Sequence, residues 1–274
     1  MKDTKKFVHL IGAALRHNRI LTVFCFLLIA AIMLWSFRLP ASYFLWERLR
    51  LEKTALAINP SDSGLQFVIG NYYFGQGAYD ITKAKKYFQT TIALNEQYPR
   101  AHYQLSRTYF IQGNLNRAIK EINRELELYP DFKRSYYIRG LTYGYKGDFA
   151  KAAADFEEFL KWKPESWAGH NDLAWIYFQM GEYEKVLATV EEGLKYAKNN
   201  VWLLNSEGVA LLNLGRKDEA RETFEKVLPM AMAMSPAEWG QSYPGNNPEI
   251  YPKGLTSMQE SIKRNLRLLD PDYK

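Results

Sequence analysis

Small and apolar positions return along this chain every 34 residues. Tyr109, Tyr143 and Tyr177 mark the beat, with Leu211 replacing the aromatic in the last copy, and Ala118, Val186, Ala152 and Ala220 each follow nine residues behind one of them. Between each pair stands a glycine: Gly113, Gly147, Gly181 or Gly215. Glycine in that place ends a helix abruptly, because a left-handed residue is sterically cheap only without a Cβ. Each period therefore predicts two helices joined by a tight turn. Leu105, Leu173 and the small residues Ser106, Gly140, Ala174 and Gly208 complete the first helices, and Pro130 and Pro164 close two of the units. A hairpin of this kind cannot bury its apolar face alone, so neighbours stack and share a quasi-one-dimensional core. Gly140 and Ala152 fall where the paired helices must approach closely.

The pattern changes at both ends of this array. After Val227 and Leu228 it lapses into residues 235–254, where Pro236, Pro244, Pro248 and Pro252 alternate with Gly240, Gly245 and Gly254. This irregular segment carries Trp239, Tyr243 and Tyr251, a large apolar load, and is expected to pack on the array or cross its groove. A helical pattern resumes over 255–269 with Leu255, Met258, Ile262, Leu266 and Leu269 spaced by three and four, and it predicts a C-terminal helix (255–274) that caps the last repeat. Near the N-terminus, Ile20 to Phe37 contains no charge and is bounded by Arg19 and Arg38. At ~1.5 Å per residue that run spans roughly 27 Å, which predicts a single transmembrane helix over 20–38.

The repeated residues resemble the tetratricopeptide repeat (TPR) family, whose pattern places a bulky residue, Leu, Gly or Ala, Tyr, Gly, Ala, an aromatic and Pro at set offsets. On that pattern the copies run 99–132, 133–166, 167–200 and 201–234. An earlier copy, 63–98, carries Gly70, Tyr73, Gly77, Ala84 and Phe88, with its turn widened around Asp80, Ile81 and Thr82. Residues 41–60 read as a partial repeat or juxtamembrane helix, ending in Ala55 to Pro60. The resemblance implies an all-α TPR α-solenoid of antiparallel helix pairs in a right-handed superhelix.

Charge refines the picture. The formal net charge is +6, but residues 1–40 hold six basic side chains and one acidic one, which leaves +1 for the remainder. The basic groups lie where anionic headgroups would be, so nucleic acid is not an expected partner. Lys2, Lys5, Lys6, Arg16 and Arg19 precede the apolar run, against Arg38, Arg48 and Arg50 after it. The asymmetry predicts a single-pass protein with residues 1–19 cytoplasmic and the repeats outside the cytoplasm, on the periplasmic side of an inner membrane if bacterial. Trp35, Phe37, Tyr43, Phe44 and Trp46 suit an interfacial aromatic belt, and Tyr43 to Trp46 suit packing within the partial repeat equally well.

Catalytic and metal chemistry find no local signature. The one cysteine, Cys25, lies in the apolar run, so no disulfide forms within the chain. His102 and His170 occupy the same repeat position two copies apart and are expected to pack in the core rather than ligate a metal. Glu121, Glu125, Glu157 and Glu158 are expected on solvated faces of second helices. No cofactor, metal or enzyme activity is expected.

In the TPR family the first helices line a concave groove, and its inward offsets map here onto Asn71, Phe74, Tyr103, Arg107, Phe110, Arg134, Tyr137, Tyr145, Asn171, Trp175, Phe178, Trp202 and Asn205. Such a lining suits an extended peptide. Asn71, Asn171 and Asn205 can pair with its backbone, the aromatic rings offer rigid contact area, and Arg107 and Arg134 can hold an acidic group. A carboxylate clamp of the chaperone-tail type is not expected, because Phe67 and Ile138 stand where basic residues are needed. The expected function is a membrane-anchored scaffold that binds a protein or peptide partner at the cell envelope, in an assembly, secretion or translocation role. The alternative is an accessory or substrate-binding subunit of an envelope enzyme complex in a glycan or cofactor-attachment pathway.

Overall fold

The computed structural model describes residues 19–242, 245 and 247–273; the side chains of residues 19–22, 25, 31, 34 and 35 are not among those described. The basic leader, the segment 7–15, His9, His17, Tyr243 and Pro244 thus lie outside the described residues, as do the side chains of Cys25 and Trp35. Contacts divide the chain into two compact units, with the division at Leu65 and Gln66.

The first unit holds helix α1 (Arg19–Glu47) and the short helix α2 (Glu52–Ile58). No helix boundary falls at Phe37 or Pro40. Helix α1 continues through Pro40, which removes one backbone donor, and ends at Glu47, so the expected partial repeat is split between two helices. Arg38 Nε donates to the Ile58 carbonyl, and the Arg50 guanidinium lies 5.1 Å from the centroid of Trp46, which is buried. Trp46 therefore packs within the unit, whereas Phe44 is exposed. Val23, Phe24, Phe26, Leu27, Leu28, Ile29, Ile32 and Met33 are all exposed along α1. Among the described residues, no helix is long and apolar enough to cross a membrane.

The second unit consists of five helical hairpins followed by a C-terminal segment. The pairs are α3 (Ser63–Tyr73) with α4 (Ile81–Leu94), α5 (Ala101–Ile111) with α6 (Leu115–Leu128), and α7 (Arg134–Lys146) with α8 (Phe149–Trp162). They continue with α9 (Trp167–Gln179) and α10 (Tyr183–Tyr196), then α11 (Val201–Asn213) and α12 (Lys217–Ala233). Gly113, Gly147, Gly181 and Gly215 have φ of 72, 89, 74 and 76°. Each ends the first helix of its pair in the left-handed region, where a β-carbon would be strained.

Inside each hairpin a small residue of the first helix meets a bulky one of the second. A β-carbon built on Gly70 would lie 2.6 Å from the Phe88 ring, and one on Gly208 2.7 Å from Phe224. At Gly140 it would lie 3.3 Å from both the Ala152 carbonyl oxygen and Phe156. Ser106 instead donates its hydroxyl to the Ala118 carbonyl, 2.8 Å away. Phe88, Ile122, Phe156, Val190 and Phe224, the bulky partners at equivalent positions, are all completely buried. His102 and His170 are buried as well, His102 Nδ1 lying 2.7 Å from Glu121 and His170 Nε2 2.8 Å from the Pro164 carbonyl.

Three local departures have identifiable causes. In the first hairpin Gly75, at φ 118°, takes the left-handed position rather than Gly77, and the widening falls before Asp80, whose carboxylate caps α4 by accepting from the Lys83 N–H at 2.9 Å. Helix α12 runs on through Pro229 to Ala233, with Val227 and Ala231 buried on either side of the proline. Glu125, expected on a solvated face, has no exposed surface: it accepts from the backbone N–H groups of Arg100 (3.0 Å) and Tyr103 (3.1 Å). Arg100 has φ 67° and makes no side-chain cap, so the partner helix supplies the acceptor that the start of α5 lacks. Glu121 and Glu157 are engaged too, Glu157 accepting from the Tyr177 hydroxyl at 2.6 Å.

The C-terminal segment is more regular than its prolines suggest. Ser235 and Glu238 form a reciprocal capping box for α13 (Pro236–Gly240). A 3-10 turn, Pro248–Ile250, leads into α14 (Tyr251–Leu269), which begins four residues earlier than the apolar spacing predicts because Pro252 sits in its first turn, where no donor is needed. Ile262 and Leu266 of α14 join the buried cluster of Phe224, Val227 and Ala231. Gln259 Nε2 donates to the Ala231 carbonyl, and Arg221 Nη2 to that of Leu269, both at 2.9 Å, which covers the end of the array.

Candidate functional site

The first helices α5, α7, α9 and α11 present one side of the array to the C-terminal segment, and two cavities lie along it. The first, of about 310 Å³, is lined by Tyr103, Arg107, Arg134, Tyr137, Ile138 and Phe159, with Lys163, Ser166 and Ala168 from the approach to and start of α9, and Gln241 and Ser242 from the C-terminal segment. The second, of about 490 Å³, is lined by Tyr145, Asn171, Asp172, Trp175, Trp202, Asn205 and Ser206 together with Trp239, Ser242, Gly254, Ser257, Met258 and Ser261. Ser242 borders both. Trp239 packs on Tyr251 with ring centroids 6.1 Å apart, and the Tyr79 hydroxyl in the first hairpin donates to the Gly245 carbonyl at 2.9 Å. The segment therefore runs along the face from the last hairpin to the first.

Physical character differs between the cavities. In the first, the Arg107 guanidinium donates to Gln104 Oε1 at 3.0 Å and lies 4.4 Å from the Phe74 ring centroid. Burial, and then the nearby charge of Arg134, push its pKa below the ordinary guanidinium value. Tyr103 is raised, chiefly by burial, with Arg107 and Arg134 opposing. In the second cavity several polar groups pair with one another. The Ser206 hydroxyl donates to Asn171 Oδ1 at 3.1 Å, and the Tyr137 hydroxyl, from the neighbouring wall, donates to Asp172 Oδ2 at 2.5 Å. Burial lifts the Asp172 carboxyl to about 6, with the hydrogen bonds from Tyr137 and Asn171 pulling the other way. Tyr145 bridges Phe110 and Trp175 at centroid distances of 5.2 and 5.3 Å, and Trp202 packs on Trp167 at 5.2 Å.

Of the residues assigned to the groove from sequence, Tyr103, Arg107, Arg134 and Tyr137 meet in the first cavity. Tyr145, Asn171, Trp175, Trp202 and Asn205 meet in the second. The other four line neither cavity. Asn71 is buried and accepts from Gln104 Nε2, Phe74 sits in the core of the first hairpins, Phe110 packs under Tyr145, and Phe178 packs on Tyr183. Lys163, Ser166, Gln241 and Ser242 are absent from the sequence assignment. They lie in connections between helices, outside the inward-facing offsets, and only the tertiary course of the chain brings them to the face.

Stacked antiparallel hairpins with a shared core and one lined face define an α-solenoid. Models of the tetratricopeptide repeat match residues 67–131, 145–206 and 203–230, and the five hairpins are tetratricopeptide repeats. Among solved structures, the chain is similar to a tetratricopeptide repeat protein from Parabacteroides merdae, at 18% identity over 86% of this chain and 99% of that one, with a TM-score of 0.62. A portion of MamA from Desulfovibrio magneticus matches at 17% identity over 63% of this chain and 97% of its own, with a TM-score of 0.58. Another MamA crystal structure matches at 21% identity over 61% and 90%, with a TM-score of 0.55. These likenesses show the fold. No curated protein matches the sequence.

Proposed function

We propose that this protein is a protein-interaction scaffold whose partner segment binds along the face formed by α5, α7, α9 and α11. The observation that carries this reading is the second cavity, where Tyr145, Trp175 and Trp202 offer aromatic surface beside Asn171 and Asn205. Rigid rings and side-chain amides together recognise extended backbone with little loss of conformational entropy. The C-terminal segment already places Trp239, Met258 and three serines against this surface, as an incoming peptide would place its own side chains. Asn205 Oδ1 is buried with no hydrogen-bond partner among the described residues.

The reading extends to a membrane. Residues 20–37 are uncharged, and the large apolar side chains described between Val23 and Phe37 are exposed, an arrangement that suits lipid better than water. The surplus of basic residues before the run favours a cytoplasmic N-terminus and repeats on the opposite side. Protease added to sealed, right-side-out vesicles should digest the repeats before lysis; digestion only after lysis reverses the orientation. Partner binding is tested by crosslinking intact cells and comparing wild type with a Tyr103→Ala, Asn171→Ala, Trp175→Ala protein. Specific adducts should be lost from the variant while its helical content is unchanged, and an unaltered set of adducts refutes the face as the binding surface.

A further inference from the structure

The first cavity has a property that a peptide-binding scaffold does not require. Arg107 from one repeat and Arg134 and Lys163 from the next reach it, and no carboxylate lines it. None of the three belongs to an ion pair among the described residues. Arg107 is held by neutral groups alone, the Gln104 amide oxygen and the faces of Phe74 and Tyr103 at 4.4 and 5.7 Å. Another partly buried arginine of the array is compensated. Arg139 takes both oxygens of Asp155 at 2.8 and 2.7 Å. Glu125, beside Tyr103, is taken up by the backbone N–H groups of Arg100 and Tyr103, and Asp172 opens into the other cavity and is engaged by Tyr137. Like charges gathered in a partly desolvated hollow repel one another, and an anion placed among them reverses the sign of that interaction.

We propose that this cavity is an oxyanion site for a phosphate monoester. Guanidinium and ammonium donors converging from separate helices suit a dianion with several acceptor oxygens better than a single carboxylate. Ser242 Oγ, buried at the rim with no hydrogen-bond partner, adds a neutral donor. The volume, about 310 Å³, exceeds that of the anion itself, and Ile138, Phe159 and Ala168 form an apolar wall for a short carbon substituent. The site is defined by the cavity alone and does not depend on a protein partner occupying the rest of the face.

The test is calorimetric titration of the full chain in detergent with inorganic phosphate, O-phosphoserine, serine and a phosphoserine peptide. One saturable site for phosphate or O-phosphoserine, none for serine, and affinity reduced about tenfold or more in both Arg107→Gln and Lys163→Gln are expected. Circular dichroism keeps folding separate from binding, and Lys163, at a helix end, provides the variant least able to unfold the array. Binding of the free compounds alone identifies a small-molecule ligand, and binding of the peptide as well identifies a phosphorylated protein. Absence of saturable binding by every phosphate, or binding undiminished in Lys163→Gln, overturns the proposal. Failure of phosphate binding leaves untouched the crosslinking test at Asn171 and Trp175, which line the other cavity.

Discussion

Along the seam of the hairpins, Gly70, Ser106, Gly140, Ala174 and Gly208 include nothing larger than serine, and their partners Phe88, Ile122, Phe156, Val190 and Phe224 are wholly buried. Across the face of the same first helices, one offset carries Phe67, Tyr103, Tyr137, Asn171 and Asn205, and the next turn carries Asn71, Arg107, Leu141, Trp175 and Val209. The seam repeats because every hairpin solves the same packing problem at the same interhelical distance. The face does not repeat, because each position meets different chemistry. A repeat protein therefore displays its scaffold as periodicity and its specificity as departure from it.

The sharpest way to break this contrast is to remove a seam residue. Phe156→Ala should lower unfolding free energy by about 3–5 kcal/mol, since a fully buried aromatic leaves a cavity in a shared core. Chemical denaturation measures it, and a loss below about 1 kcal/mol would mean that the seam does not carry the fold. Glu125→Ala should follow at about 1–3 kcal/mol, because it strands the N–H groups of Arg100 and Tyr103 in a buried place. Amide exchange at the start of α5 should accelerate, whereas exchange in α11 should not.

Asp172 connects the two regions through its titration. Its pKa is raised in the fold from 3.8 to about 6, so its stabilising contribution is complete below about pH 3.8 and is lost as pH rises through about 6. Asp172→Asn keeps an acceptor for Tyr137 and should flatten the stability profile across that window, with a gain of about 1–3 kcal/mol at pH 7. An unchanged pH profile would show that Asp172 is not desolvated. The smallest effect belongs to the face itself. Arg134→Gln, at an exposed cation outside every ion pair described, should move stability by less than about 0.5 kcal/mol. A cost comparable to that of Phe156→Ala would make the face structural and dissolve the distinction.

The seam and its turns were legible in the sequence because both obey the 34-residue period, and the left-handed glycines fall where the beat places them. Glu125 was not, since a glutamate on a second helix resembles its solvated neighbours until the uncapped start of α5 is seen against it. The first turn misled for a similar reason: Gly75 and Gly77 both lie near the expected offset, and only φ separates them. On the face, repeat offsets reached Arg107, Tyr137, Trp175 and Asn205. Lys163 and Ser242 escaped them, because residues in connections are placed by where the chain travels.

The account turns on recognition by the first-helix face, and site-specific photocrosslinking in intact cells tests it most directly. A photoreactive residue replacing Tyr145, 59% exposed on the face, is compared with one replacing Lys161, whose side chain is 74% exposed on the second helix of the same hairpin. Discrete partner adducts from position 145 and none from position 161 are predicted. Adducts from position 161 with none from position 145 would contradict the assignment of recognition to this face.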